Sequence, residues 1–387
     1  MPNLVYISDF NMGGADSAMD SVPRSGYTNI GMELCRRLAG MGHDIKILGL
    51  GYTGQEYDEK FSIIPCNTIQ DAGGTLNNLK YLWKPDAVIV ALDINFFHEQ
   101  LFPAAKKLEI PYICITPLES DPLCITWANM LNEMNKVFFI SQFGTDEANK
   151  AGVNAEHIEI GIDTGAWRHR TEAEYTQVRK TLGFEEGDFI VMTVADNQER
   201  KNLSRGLEII AELKKRGVPV RHILVTREHS MVGWKLYDLA YNLGVSSELR
   251  VFQNGIPYRD LYALYCTADA FLLCSKGEGL GLPVMESMCI GIPVVANKTG
   301  AIPELLGDSE RGWMIDYDYM MIDPFGNQNR YFIDKMKAAD ALEYIRNNKE
   351  EVAKRVKLAR EFMEGKDWNK SASQVDSAIR EIMEHAK

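Results

Sequence analysis

Short apolar runs alternate along the chain with stretches of helical periodicity. The first half offers LVYIS (4–8), IKILGL (45–50), AVIVAL (87–92), YICIT (112–116) and VFFIS (137–141). The second offers FIVMTVA (189–195), HILVT (222–226), LRVF (249–252), AFLLC (270–274) and IPVVA (292–296). Strands that are apolar throughout, rather than at every second residue, belong to a sheet covered on both faces. Strands separated by helices imply βαβ units and a parallel sheet. Helical spacing is legible over 26–41, where Ile30, Leu34, Leu38 and Met41 recur, and over 203–216, where Leu203, Leu207, Ile210 and Ala211 do. The second helix is expected to stop at Gly217 and Pro219. The stretch 162–188 is polar and starts no obvious core strand, so the boundary between two halves falls there. Residues 334–387 read as helical almost throughout. The pattern predicts two doubly wound α/β domains, 1–165 with 368–387 and 166–367, and a helical tail.

The length, 387 residues, suits two domains with a core each. No apolar run approaches the roughly 20 residues that span a bilayer. The start, MPNLVYISDF, lacks the basic stretch and long apolar run of a signal peptide and reads as a strand, so a cytoplasmic location is expected. The seven cysteines show no C-x-x-C spacing, and several lie in strand-like runs; they are expected reduced and buried. The seven histidines form no H-E-x-x-H pattern. Net charge is −12, and residues 1–165 hold most of it, with 11 Lys and Arg against 21 Asp and Glu. That half is a poor surface for a phosphate backbone or an anionic lipid.

The densest chemical signal is residues 275–304, SKGEGLGLPVMESMCIGIPVVANKTGAIPE. A strand ends, a glycine-rich loop follows, and a helix starts near Pro283. Gly277, Gly279 and Gly281 let a ligand approach the backbone. Amides at a helix start, aided by its dipole, suit phosphate oxygens. Glu278 in the loop and Glu286 in the helix can reach opposite ends of one ligand, and carboxylates accept hydrogen bonds from sugar hydroxyls.

These residues resemble the retaining glycosyltransferases of family 4, whose fold is GT-B. Glu278, Gly279, Leu280, Gly281, Leu282, Pro283, Glu286, Gly291, Pro293, Gly300 and Glu304 stand where that signature has its fixed positions. The resemblance implies two Rossmann-like domains facing across a cleft, with a C-terminal helix crossing back. It assigns Glu278 to the donor sugar, the amides of Gly279, Leu280 and Gly281 to the sugar and diphosphate, and Glu286 to the ribose. It implies retention of configuration, no metal and no cofactor beyond the donor.

Further matches spread over nearly the whole chain. In ADNQERKNLSRGLEIIAEL (195–213), Lys201 and Arg200 sit between a strand end and a helix start. Cations there would stabilise charge on the leaving diphosphate. The family has an Arg where this chain has Asp196, and Arg200 is the candidate to replace it. Gly26 matches the glycine at the start of the first long helix, and Gly42-His43 the pair before the second strand. The loop between the first strand and that helix, with Gly13-Gly14, is an expected acceptor-side segment. SQFGTDEANKAGVNAEHIEIGIDTGAW (141–167) resembles the segment closing the first domain, with Gly161, Asp163 and Thr164 in place and Ile160 where a His is usual. Trp368 begins the expected returning helix.

One departure bears on substrate. The family's His after the fifth strand is missing from Thr116-Pro117-Leu118-Glu119-Ser120-Asp121. Either Glu119 or Asp121 takes a polar role there, or the donor sugar differs, a pentose being one case. His98 reads as an ordinary helix residue, and Asp93 is the better acceptor contact. The expected activity is transfer of a hexosyl or pentosyl unit from a nucleoside diphosphate sugar to a hydroxyl acceptor, a saccharide or similar compound. Transfer to hydroxymethylated bases in DNA is an alternative, as is a non-catalytic nucleotide-sugar binder. A phosphorylase or epimerase has no phosphate pocket or pyridoxal lysine in its favour.

Overall fold

The apolar runs of the first half form one parallel sheet. Its strands are β1 (Asn3–Asp9), β2 (Asp44–Leu50), β3 (Ser62–Cys66), β4 (Ala87–Ala91), β5 (Tyr112–Thr116), β6 (Lys136–Phe139) and β7 (Glu156–His157). They lie in the order β3-β2-β1-β4-β5-β6-β7, all parallel. The central strands β4 and β5 bury every residue, which is why they read as unbroken apolar runs. Crossovers are made by α1 (Gly26–Gly40), α2 (Ile69–Leu82), α3 (Phe96–Lys107), α4 (Ile125–Leu131) and α5 (Gln142–Lys150). The computed structural model describes residues 2–10, 25–94, 96–228, 230, 232–253, 256–324 and 326–385; Gly13 and Gly14 lie outside them.

The second half repeats the plan. After α6 (Glu172–Thr181) come β8 (Phe189–Val194), α7 (Leu203–Lys215), β9 (Val220–Thr226), α8 (Leu236–Asn242), β10 (Leu249–Gln253) and α9 (Tyr258–Cys266). These lead into β11 (Ala270–Leu273), α10 (Leu282–Ile290), β12 (Val294–Asn297), α11 (Ile302–Leu306) and β13 (Trp313–Ile315). The parallel sheet runs β10-β9-β8-β11-β12-β13. A separate antiparallel hairpin, β14 (Tyr317–Ile322) with β15 (Asn329–Ile333), follows it. The chain ends in α12 (Lys335–Asn347), α13 (Lys349–Glu364) and α14 (Trp368–His385).

Two compact units result, Met1–Gly161 with Lys366–Lys387, and Ile162–Gly365. The last helix thus returns to the first unit. There the His43 imidazole meets the Asp376 carboxylate at 2.7 Å, and α14 starts against Gly161. The polar stretch 162–188 carries α6, whose start is a capping box: Thr171 accepts from the Glu174 amide and Glu174 from the Thr171 amide. All seven cysteines are free. No described helix is long and apolar enough to cross a membrane.

Candidate functional site

In the second unit the glycine-rich loop leaves β11 and turns into α10 at Gly281. That residue caps the helix with φ +92°, and a Cβ there would stand 3.2 Å from Ile302 Cδ1. Glycine meets both demands, the left-handed backbone and the close approach. α10 is buried on every side, so its apolar residues pack throughout and Glu286 is its one charged group. Gly279 and Gly281 are buried, and Leu280 is half-buried.

Glu278 is buried in this loop, and the second sequence match supplies its partners. Residues Glu199–Lys201 form a single tight turn, ended by Asn202 at φ +54° before α7 begins. Lys201 Nζ donates to Glu278 Oε2 at 2.7 Å. Arg200 Nη1 donates to the Gly277 carbonyl at 2.7 Å and stands 3.8 Å from the same carboxylate oxygen. Burial alone would raise the Glu278 pKa, but the charges of Lys201 and Arg200 outweigh it and hold the carboxyl below the usual range. Glu278 is therefore an ionised acceptor beside two cations. Glu278, Lys201 and Arg200, read from two segments of sequence, are brought together.

Glu286 has the opposite environment. Its Oε2 accepts a hydrogen bond from the Tyr265 hydroxyl at 2.8 Å. Burial pushes its pKa up to about 8, against a smaller lowering by that bond. Tyr265 is itself buried, edge-on to Trp167.

Asp196, where the resemblance expects an arginine, is bound by one. Arg227, at the end of β9, reaches it with Nε 2.5 Å from Oδ1 and with a second guanidinium nitrogen on Oδ2. Ile160, in the place of the usual His, is a core residue of the first unit.

In that unit Gly26 is the first residue of α1, capped by Ser25, whose Oγ accepts from the Thr28 amide. The next residue, Tyr27, donates its hydroxyl to Asp93 just past β4, so Gly26 and Asp93 are neighbours through it. Glu119 and Asp121 lie half-buried in the loop after β5. His98 is wholly buried, with Nδ1 2.8 Å from the Tyr112 hydroxyl and Nε2 3.2 Å from the Leu92 carbonyl. Burial pushes its pKa down to about 4. It is a neutral core group, as its helical position suggested. Among the described residues no three His, Cys, Asp or Glu side chains gather into a metal-binding group.

Tyr265, Lys276 and Glu199, which sequence reasoning passed over, belong to the second unit's cluster. Tyr265 orients Glu286. Lys276, two positions before Glu278, is buried and ion-paired with Glu199. The signal for Lys276 was its place inside the motif itself.

This sheet order, repeated in two units and followed by a returning helix, is the GT-B fold. Residues 174–323, which contain every one of the second unit's cluster residues, match the family model of glycosyl transferases group 1. A GDP-mannose-dependent alpha-(1-6)-phosphatidylinositol monomannoside mannosyltransferase of Mycolicibacterium smegmatis is 30% identical over 196 residues, 48% of this chain and 50% of that protein. A D-inositol 3-phosphate glycosyltransferase of Corynebacterium aurimucosum is 29% identical over 163 residues, 41% of this chain and 38% of its own. The chain thus spans half or less of the length of these curated relatives. Among solved structures, sucrose-phosphate synthase of Thermosynechococcus elongatus superimposes with a TM-score of 0.77 at 14% identity over 100% of both chains. Anabaena HepE in complex with UDP-glucose does so with 0.73 at 13% identity, over 98% of this chain and 100% of its own.

Proposed function

We propose that the protein is a glycosyltransferase that moves a sugar from a nucleoside diphosphate sugar to an acceptor hydroxyl, with retention of configuration and without a metal. The observation that carries this reading is the buried Glu278 carboxylate held against Lys201 and Arg200 at the mouth of a glycine-rich helix start. A carboxylate takes sugar hydroxyls as donors, and adjacent cations take a diphosphate. Glu286, one helix turn and more beyond, receives the ribose hydroxyls, and the amides of Gly279, Leu280 and Gly281 face the sugar and diphosphate. The second unit is the donor side, and the first unit, with Gly26, Asp93, Glu119 and Asp121, the acceptor side.

In the reaction, the bond from the anomeric carbon to the phosphate oxygen breaks and one to the acceptor oxygen forms on the same face. The acceptor's proton goes to the departing phosphate oxygen. Negative charge grows on that diphosphate as the bond breaks, and Lys201 and Arg200 are fixed cations that stabilise it. No side chain in the cluster is placed as a covalent nucleophile in this scheme. The relatives' names support a sugar donor: one uses GDP-mannose, and a fold neighbour was solved with UDP-glucose. The acidic first 165 residues favour a neutral acceptor such as a saccharide. A cytoplasmic site of action goes with this reading.

A thermal-shift panel of UDP, GDP, ADP and CDP sugars tests it. A ligand at 100 times its Kd stabilises the folded state by about 2.7 kcal/mol. One nucleotide class should raise Tm, and the shift should shrink in Glu286→Ala. A flat response to all four classes would contradict a nucleotide-sugar site.

A further inference from the structure

A lysine is rarely buried without a task, because desolvating its ammonium costs several kcal/mol unless a partner compensates. Lys276 is 3% exposed. Its ammonium is paired with the Glu199 carboxylate and lies 4.3 Å from the centre of the Phe332 ring and 5.9 Å from that of Trp234. Its backbone is equally committed. The Lys276 amide donates to the Arg200 carbonyl at 2.8 Å, and its carbonyl accepts from the Tyr331 amide at 2.9 Å and from Thr299 Oγ1 at 3.2 Å. One residue therefore ties the loop before Glu278 to the turn Glu199–Lys201 and to β15.

That turn needs such a tie. It is three residues long and ends in a left-handed residue, Asn202, so it has no extended ladder of its own. Yet it carries Arg200 and Lys201, whose value depends on standing against Glu278 before the donor's charge develops. Glu199 begins the turn, and its side chain is 55% exposed, so the ion pair is anchored from the buried Lys276 end. A direct role of Lys276 on a ligand fits the geometry poorly, since its ammonium faces Glu199 and two rings.

We propose that Lys276 is a positioning residue, which through Glu199 and the Arg200 carbonyl holds the Glu199–Lys201 turn so that Lys201 and Arg200 face Glu278. The inference rests on the glycosyltransferase reading for its catalytic consequence, and on the contacts alone for its structural one. Burial and the nearby Arg330 charge, against the opposing Asp323 charge, push the Lys276 pKa down to about 8, so the clamp is weakened in mild alkali.

The test pairs Lys276→Met, Lys276→Arg and Glu199→Gln with Lys201→Ala. Nucleoside diphosphate release gives kcat and calorimetry gives donor Kd. Lys276→Met should lower kcat roughly 10- to 100-fold, the scale of a misplaced catalytic group, while Kd moves much less. Lys276→Arg should recover most of the loss. In the Lys201→Ala background the further loss should shrink to the part that comes from Arg200, because coupled residues are not additive. Equal losses in both backgrounds, or a Kd change as large as the kcat change, would overturn the proposal. Should Lys276→Met fail to fold, Glu199→Gln, altering only a half-exposed carboxylate, must show the same pattern. A second readout needs no turnover: the side-chain 15N signal of Lys201 should move toward that of a solvated lysine in Lys276→Met and Glu199→Gln. An unmoved signal refutes the clamp. A wild-type protein inactive on every sugar nucleotide would refute the functional reading instead, with the Lys201 signal still deciding the positioning role.

Discussion

Burial in α10 pushes the Glu286 pKa up to about 8, so the carboxyl holds its proton more tightly than a solvated glutamate does. The sign of the linkage follows from that rise. Between the usual carboxylate range and about pH 8 the folded chain keeps a proton that the unfolded chain loses, so this group's contribution to stability falls as pH rises and levels off above 8. A ribose hydroxyl pair needs acceptors, and the ionised carboxylate offers more of them than the acid does. Binding of a nucleoside diphosphate near pH 7 should therefore release protons from Glu286, and affinity should climb as pH rises toward 8. Calorimetry in two buffers of different ionisation enthalpy checks this. Wild type should release more protons than Glu286→Gln, which should also bind more weakly by roughly 1–3 kcal/mol. Equal proton release by the two proteins would remove Glu286 from the ribose. The residue itself was legible in the motif, and so were Glu278, Lys201 and Arg200. Lys276 was not. In SKGEG it looks like a solvated loop lysine, but in the fold it is buried with its ammonium near the rings of Phe332 and Trp234, both far away in sequence.

At the scale of elements, the glycine at 161 has a physical cause that the resemblance did not supply. A Cβ there would lie 2.5 Å from the Trp368 amide nitrogen and 2.6 Å from its Cγ, so the start of α14 occupies the space. Gly161→Ala should destabilise the first unit by roughly 1–3 kcal/mol through overpacking, read in denaturant unfolding, and an unchanged midpoint would show that α14 can shift freely. The buried parallel strands were legible because covering both faces leaves one kind of residue to choose. Elements with weaker demands were not. β14 exposes all six of its residues, so no alternation marks it. β3 contains Pro65, β7 has two residues, and α6 buries only Arg179, so none presents a periodic apolar face. The local signals α6 offered were its capping box at Thr171 and Glu174, acidic residues in its first turn and basic ones in its last.

At the scale of the molecule, the two units share a plan but differ in how firmly they are tied to known proteins. The family model covers 174–323, inside the second unit, and there the cluster of Glu278, Lys201 and Arg200 is complete. The first unit keeps the fold, with Ile160 and the 116–121 loop departing from the resemblance, so its candidate residues were less legible than those of the second unit. The charge distribution adds to this contrast, since most of the net −12 lies in the first 165 residues.

Release of nucleoside diphosphate from a sugar nucleotide, measured in EDTA for wild type and Lys201→Ala, tests the glycosyl-transfer role of the Glu278 cluster. Turnover should be unchanged by EDTA. Lys201→Ala should lower it on the order of 100- to 1,000-fold, more than it lowers donor affinity, because the leaving charge is greatest in the transition state. No release with any sugar nucleotide, or full release by Lys201→Ala, would contradict that role.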